Sequence, residues 1–357
     1  MHADETFFIT GFPGFIAGRL LKRLAAQGSR LILLVQPSLI EKARLELVDL
    51  ASTIGCAIDQ FSIVEGDITQ PNLGLSVEHI AMTRASATRV FHLAAIYDLA
   101  VARDLSHRIN VEGTKNVNAF VSSLPRLCHY HYVSTCYVAG KREGRIFETE
   151  LRHDAGFRNF YEESKYLAEL EVEALKSKLP VTIHRPAVVC GDPKTGETEK
   201  YDGVYFLIHY LLKWPSALSQ LNIGNHEVSL NLVPIDFVVD AMAALAFDDA
   251  AIGKTLQLAD PASLSTNQLF NAIAKSIGDR RSKITAPRSW VKFFLMLPPS
   301  PRITGLPHHA VPYFFVKQTY DSTQAQQLLN RHNIHCPPFT SYVDAIVEYA
   351  ATHPTLA

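Results

Sequence analysis

Apolar positions along the first 35 residues follow two different rhythms. Phe7-Phe8-Ile9 is an unbroken apolar run that stops at Thr10, and a glycine turn, Gly11-Phe12-Pro13-Gly14, follows. Ile16, Leu20, Leu21 and Leu24 then recur at i, i+4, i+5 and i+8, which places them on one face of a helix. Gly28 ends that helix, and Leu31 to Val35 is again apolar throughout, as expected of a strand buried on both faces. Strand, glycine turn, helix and strand predict a βαβ unit.

The same rhythm continues. It predicts a helix over about Leu39 to Ile54, a strand at Phe61 to Val64 closed by Gly66-Asp67-Ile68, and a strand from Arg89 to Ala95. A helix starting at Asn110, a strand over His129 to Val133, a helix over Tyr161 to Glu169 and a strand over Pro180 to Pro186 come next. Beyond a polar loop at Asp192 to Thr198 lies an apolar helix from Val204 to Leu212. Val228 to Val233 is predicted to return to the sheet as a strand, followed by a helix at Asp236 to Leu245 and a last strand at Thr255 to Leu258. Ser265 supplies a hydroxyl cap ahead of another apolar repeat, and prolines from Pro287 to Pro312 surround Trp290, Phe293, Phe294, Leu295, Met296 and Leu297. Strands alternating with helices predict an α/β fold, a Rossmann-type doubly wound parallel sheet. Residues 1–190, rejoined by 228–262, form the expected dinucleotide-binding domain, and 191–227 with 263–357 a smaller, mostly helical substrate lobe.

Composition narrows the class. The 357 residues are 47% hydrophobic and 19% charged, with a net charge of −1, so no positive excess exists to neutralise a nucleic acid. The five cysteines are scattered, no apolar leader opens the chain, and no apolar run approaches the ~20 residues of a membrane span, so a cytoplasmic protein is expected. Fifteen histidines raise the question of a metal, but none sits at ligand spacing; His129 and His131 share one strand face instead, and no metal is expected.

The glycine turn carries the first chemistry. Gly11 permits the turn, Gly14 lets a pyrophosphate approach the backbone, and the small Ala17 lets helix and strand pack closely, while the helix N-terminus faces the phosphates. Gln36 stands where an NAD site usually has an acid on the ribose 2′-hydroxyl, so NADP is favoured, with NAD as the alternative. Lys42, Arg44 or Arg30 would supply the cation. Asp67 is placed to meet an adenine amino group, and Ala94 and Ala95 leave room for the cofactor backbone.

The second chemistry lies on a helix. Tyr161 and Lys165 are four apart and share a face, and Thr135 ends the preceding strand. A neighbouring ammonium is expected to lower the phenol's pKa, so that Tyr161 protonates a carbonyl oxygen held by Thr135. Lys165 would also bond the nicotinamide ribose.

In order, these motifs resemble the extended short-chain dehydrogenase/reductase superfamily: Thr10 to Ile16, Gly66-Asp67-Ile68, His92 to Ala95, Asn110 to Thr114, Tyr132 to Thr135, Tyr161 to Lys165 and Val233 to Asp236. His92 to Asp98 and Val133 to Gly140 are most similar to its thioester-reductase and fatty-acyl reductase branch. The resemblance implies Thr135, Tyr161 and Lys165 as the triad, with Thr135 rather than Ser134 because it lies five residues before Gly140. It implies cofactor contacts from Gly11, Phe12, Pro13, Gly14, Phe15, Ile16, Asp67, Ile68, Leu93, Ala94, Ala95 and Asn110, with Pro186, Ala187, Val188 and Val189 along the nicotinamide. Ala17 departs from the family's third glycine, Gln36 from a frequent Arg, and Cys136 from a common Ala.

The expected activity is NADPH-dependent reduction of an apolar carbonyl compound: an acyl thioester, free or carrier-bound, an aldehyde or a ketone. Two alternatives are an NAD-dependent sugar-nucleotide epimerase or dehydratase and a non-catalytic cofactor-binding regulator. The cluster from Trp290 to Leu297 with Tyr313, Phe314 and Phe315 is expected either to line an apolar pocket or to form the core of the lobe. Asp279-Arg280-Arg281-Ser282-Lys283 is a candidate contact for a carrier's phosphates. By fold analogy, the helices flanking the sheet, including the one bearing Tyr161, are candidate homodimer surfaces.

Overall fold

A computed structural model describes residues 5–213, 221–222, 226–278, 284–285, 288–301 and 306–355. Seven strands form one sheet: β1 (Thr6–Thr10), β2 (Arg30–Val35), β3 (Phe61–Glu65), β4 (Arg89–His92), β5 (His129–Val133), β6 (Val181–Pro186) and β7 (Thr255–Leu258). Their spatial order is β7-β6-β5-β4-β1-β2-β3, and every pairing is parallel. The order reverses between β1 and β4, which opens a crevice at the carboxyl ends of those two strands.

Parallel strands need crossover helices, and these cover both faces. Helices α1 (Phe15–Ala26) and α2 (Ile40–Ile54) pack with Ile235–Leu245 and Thr323–Arg331 into one apolar cluster that includes Phe7, Ile9, Leu31, Leu33 and Phe91. Helices α3 (Val77–Ser86), α4 (Gly113–Ser122) and α5 (Phe160–Glu173) lie among the elements behind the sheet, where α4 and α5 bury Val117, Phe120, Val121, Ala168 and Val172 against Phe8, Ile32, Leu34, Tyr130 and Ile183. Alternate residues of β1 therefore feed opposite cores, as the period of two requires.

Two predicted elements differ. The helix expected to begin at Asn110 starts earlier, at Arg103–Ser106, and passes through a π-helical turn at His107–Glu112 before α4. The strand expected to rejoin the sheet is Leu232–Pro234, and it pairs instead with Val188–Cys190, just beyond β6, in a separate two-stranded ladder. The main sheet is closed at that end by β7 alone.

A third apolar cluster gathers Tyr205, Ile208 and Leu211 with Phe270, Ile273, Leu295, Phe314, Phe315, Phe339 and Ile346. Within Arg288–Met296 only part of the aromatic run joins it. Trp290, Phe293 and Phe294, at i, i+3 and i+4, face outward, with Trp290 75% and Phe293 70% exposed, while Leu295 is buried. Leu295 thus belongs to the core of the lobe, while Trp290, Phe293 and Phe294 do not. The basic run Asp279 to Lys283 lies outside the described residues.

One part of the sheet core is polar. The rings of His129 and His131 on β5 lie 3.8 Å apart and tilted, His184 on β6 stacks 5.3 Å from His131, and Phe91 caps His131 at 4.4 Å. All three imidazoles are fully buried. Burial holds His129 down to about 4, His184 to about 3, and His131 well below its ordinary range, so the ladder is neutral.

Candidate active site

The crevice at the sheet's switch point is a cavity of 670 Å³. Its floor is the glycine turn. Gly11 has φ +99°, and a Cβ there would sit 2.7 Å from the Ala94 nitrogen and 2.9 Å from the Leu93 carbonyl carbon, so no larger residue fits. Gly14 N–H bonds the Gly11 carbonyl at 2.9 Å and Gly14 caps α1, whose first residues, Phe15 and Ile16, line the cavity. Ala17 is buried in the core beneath, as its packing role requires. A backbone stripped of side chains beside a helix N-terminus fits a dinucleotide pyrophosphate.

The predicted residues fall into two groups. Gly11, Phe12, Pro13, Gly14, Phe15, Ile16, Gln36, Ile68, Leu93, Ala94, Ala95, Thr135, Tyr161, Lys165, Pro186, Ala187, Val188 and Val189 all line this one cavity. Asp67 and Asn110 do not. The Asp67 carboxylate is spent on its own turn, accepting from Thr69 N–H at 2.8 Å. Asn110, in the π-helical turn, bonds both the N–H and the carbonyl of Ile96 and donates to Ser164 Oγ at 2.9 Å. It ties the loop after β4 to α5 from outside the cavity wall.

Helix α5 is set by its cap. Asn159 Oδ1 accepts from Glu162 N–H at 2.9 Å, and its Nδ2 donates to Tyr313 Oη at 2.8 Å. Tyr313 donates to Glu162, which Arg158 also holds, so the helix start is locked into a buried polar cluster. Farther along α5, Glu169 is paired with Arg185 and accepts from Ser134 Oγ, with all three side chains buried. Ser134 is thereby occupied. Thr135 Oγ1 accepts from Tyr137 N–H at 3.2 Å and reaches the Tyr161 hydroxyl.

Electrostatics differ from the sequence expectation at Tyr161. Its phenol is pushed above its ordinary value, because burial outweighs the opposing hydrogen bond from Thr135. The ammonium expected to lower it is turned elsewhere: Lys165 Nζ donates to Tyr132 Oη at 2.9 Å and to the Val133 carbonyl at 2.8 Å. Burial brings Lys165 down to about 7, against the opposing pull of Glu169. Cys136 is buried and its thiol is pushed up by burial, so it is an inert packing residue.

Other wall residues were not singled out from sequence. Tyr97 packs edge-on against Tyr161 at 5.0 Å, and Asp202 faces it as another residue of the same cavity wall. Lys200 Nζ donates to the Tyr97 carbonyl at 3.0 Å, which draws the 198–202 segment across the cavity. Arg19 on α1 anchors the start of this strap through Asp192 and Glu197, both at 2.9 Å. The strap is polar and irregular, so no periodicity marks it.

Sheet order, glycine turn and the meeting of Tyr161 and Lys165 at the crevice define an extended short-chain dehydrogenase/reductase, an NAD(P)-dependent enzyme class. Within that class, the chain belongs to the male sterility protein family of NAD-binding domains, which it matches over residues 9–242. It is 24% identical over 285 residues to a fatty acyl-CoA reductase of Drosophila melanogaster, covering 70% of this chain and 55% of that one. It is 27% identical over 271 residues to a non-canonical nonribosomal peptide synthetase of Aspergillus campestris, covering 70% of this chain and 25% of that one. The chain thus spans about half or less of these relatives' own lengths. Among solved structures, the terminal R domain of the myxalamid PKS-NRPS pathway shares the fold with a TM-score of 0.83 at 23% identity, over 99% of this chain and 92% of that one. A UDP-glucuronic acid 4-epimerase from Bacillus cereus, in complex with NAD, shares it at a TM-score of 0.66 and 17% identity, over 98% of each chain. Among the described residues, no helix is long and apolar enough to cross a membrane.

Proposed function

We propose that the protein reduces an acyl thioester, or the aldehyde derived from it, with NADPH, using Thr135, Tyr161 and Lys165. The observation that carries this reading is that these three side chains share one cavity with the glycine turn. The bound nicotinamide supplies a hydride to the carbonyl carbon. Tyr161 gives its proton to the carbonyl oxygen, and Thr135 holds that oxygen by a hydrogen bond as charge builds on it. With a thioester, the resulting hemithioacetal breaks its C–S bond to give an aldehyde and a free thiol. Lys165 presents a buried ammonium beside Tyr161 and toward the ribose.

The cavity wall is mostly apolar beyond the triad, with Phe12, Phe15, Ile96, Ala187 and Val188 among its residues, which suits an acyl chain. Residues 1–190 with 228–262 would hold the cofactor, and 191–227 with 263–357 would bind the substrate. A carrier-bound thioester is the favoured source, given relatives named as a peptide synthetase and an acyl-CoA reductase. NADPH is preferred over NADH because Gln36, at the ribose end of the cavity, puts no negative charge against a 2′-phosphate.

A panel of acyl thioesters, aldehydes, ketones and nucleotide sugars, each offered with NADPH or NADH, tests the assignment. The expected result is turnover of thioesters or aldehydes, with kcat/KM for NADPH about 10-fold or more above NADH, an advantage of about 1.4 kcal/mol. Turnover confined to nucleotide sugars with retained NAD would replace this reading by epimerisation.

A further inference from the structure

The triad leaves one hydroxyl unexplained. Tyr132, on β5 beneath the cavity, is 1% exposed, and its Oη accepts from Lys165 Nζ at 2.9 Å while the ammonium also sits 4.5 Å from the centre of its ring. On its other side Tyr132 meets the Thr114 side chain. Thr114 Oγ1 is 3.1 Å from His92 Nε2, and His92 Nδ1 is 2.7 Å from Thr10 Oγ1. Thr10 Oγ1 in turn accepts from Ala94 N–H, in the cavity wall, at 3.2 Å. Hydrogen bonds thus link α4, β4 and β1, with Tyr132 on β5 standing beside the head of this buried polar run.

Tyr132 Oη accepts from Lys165, which leaves its own hydrogen to turn toward the Thr114 side chain. With the Tyr132 hydrogen turned toward Thr114, one consistent orientation follows. Thr114 then donates to His92 Nε2, and His92 Nδ1–H donates to Thr10 Oγ1. His92 is held neutral, at about 3, by burial and by the Lys165 charge, which agrees with a ring that uses one nitrogen as acceptor. Every hydrogen points away from Lys165. Tyr132 is therefore a fixed acceptor, and with the Val133 carbonyl it takes two of the three ammonium hydrogens. The third is left for the cavity, where Tyr161 stands.

We propose that Tyr132 is a positioning residue that fixes the direction and charge of Lys165, backed by Thr114, His92 and Thr10. The proposal rests on the role assigned above to Lys165. It acts on the amine whatever the substrate. The charged and titratable groups around Lys165 are Glu169 and Tyr161 on its own helix, Tyr132 on β5 and His92 on β4, with Arg185 on β6 neutralising Glu169. In Tyr132→Phe one ammonium hydrogen loses its acceptor in a buried site, which disfavours the charged form.

Competitive acylation across a pH series, read on the Lys165 peptide by mass spectrometry, measures this amine directly and needs no substrate. Only the neutral amine reacts. In Tyr132→Phe the labelling midpoint should fall by about one pH unit, a 10-fold change in the ionisation constant. The alkaline limb of kcat should move down with it, while KM for the carbonyl compound stays within about two-fold. Thr114→Val, which removes the next link and keeps Tyr132, should shift the midpoint in the same direction by less. NADPH binding identifies the folded variants. A Tyr132→Phe protein that binds NADPH and keeps the wild-type labelling midpoint overturns the proposal. If Tyr132→Phe does not fold, an unmoved midpoint in folded Thr114→Val does so. A shifted midpoint in a protein that turns over no carbonyl compound would support the proposal and remove the reductase reading instead.

Discussion

Tyr161→Phe should abolish nearly all carbonyl reduction while leaving cofactor affinity within about two-fold of the parent. The substitution removes one oxygen from a side chain that is 7% exposed and is held by its ring contact with Tyr97, so little repacking is expected. What disappears is the proton for the carbonyl oxygen. General-acid catalysis contributes about 10²–10⁴-fold, or about 3–5 kcal/mol of barrier, and kcat should fall by that factor. Thr135 and Lys165 are poor substitutes, because the aliphatic hydroxyl of Thr135 is a far weaker acid than a phenol and two of the three Lys165 hydrogens are held by Tyr132 and Val133. Steady-state kinetics with a titration of NADPH binding check this. A variant retaining more than about a tenth of parental kcat would remove Tyr161 from the mechanism.

The second large effect is on stability, and it comes from histidines. His92, His129, His131 and His184 are buried and neutral, with pKa values held well below the ordinary ~6.5 of the unfolded chain. Above that value both states carry neutral imidazoles and the four groups contribute nothing to the pH dependence. As pH falls through about 6.5, the unfolded chain takes up protons that the folded protein refuses, so stability is lost on acidification. Each such group costs about 1.4 kcal/mol per pH unit, so four approach about 5 kcal/mol per unit until the folded imidazoles themselves begin to titrate. Against a typical total of about 5–15 kcal/mol, unfolding is expected between about pH 4 and pH 5.5, ahead of most carboxylates. Urea unfolding midpoints at a series of pH values read this directly. They should drop steeply below about pH 6.5, and a flat profile down to about pH 5 would show that the ladder is not buried as a neutral unit.

Much of this architecture was legible in the chain because buried parallel strands are written as apolar runs. Phe7 to Thr10 and Leu31 to Val35 fall within a residue of their observed limits, and His129 to Val133 matches. Crossover helices announce themselves by 3.6-residue spacing. Less legible were elements whose partners lie far away in sequence. Leu232–Pro234 reads as any short strand, and nothing local says that Val188–Cys190, not the main sheet, receives it. The π-helical turn at His107–Glu112 hides in a similar way, since its apolar residues fit an ordinary helix. Cavity residues divide along the same line. The glycine turn and the four-residue interval from Tyr161 to Lys165 are local patterns. The turn-capping of Asp67, the bracing by Asn110 and the Lys200 bond across the cavity are tertiary facts. Desolvation is also invisible to spacing, which is why proximity to Lys165 suggested a lowered Tyr161 phenol where burial in fact raises it.

The two polar systems behind the site explain why the chain spends buried charge there. Glu169 on α5 pairs with Arg185 on β6, and Glu162 with Arg158 and Tyr313 lies at the head of α5. Buried pairs of this kind add little net stability, but losing one partner of such a pair costs about 3–5 kcal/mol. Their placement fixes the helix that carries Tyr161 and Lys165.

Hydride transfer to an acyl carbon leaves an isotopic trace on the product. NADPH carrying deuterium at the transferable position of the nicotinamide is incubated with the protein and an acyl thioester, and the products are analysed by mass spectrometry. The expected product is an aldehyde, or the alcohol from its further reduction, with deuterium on the former carbonyl carbon and one free thiol released per acyl group. Release of unlabelled acid, or no change in any thioester, aldehyde or ketone while NADPH binds, would contradict it.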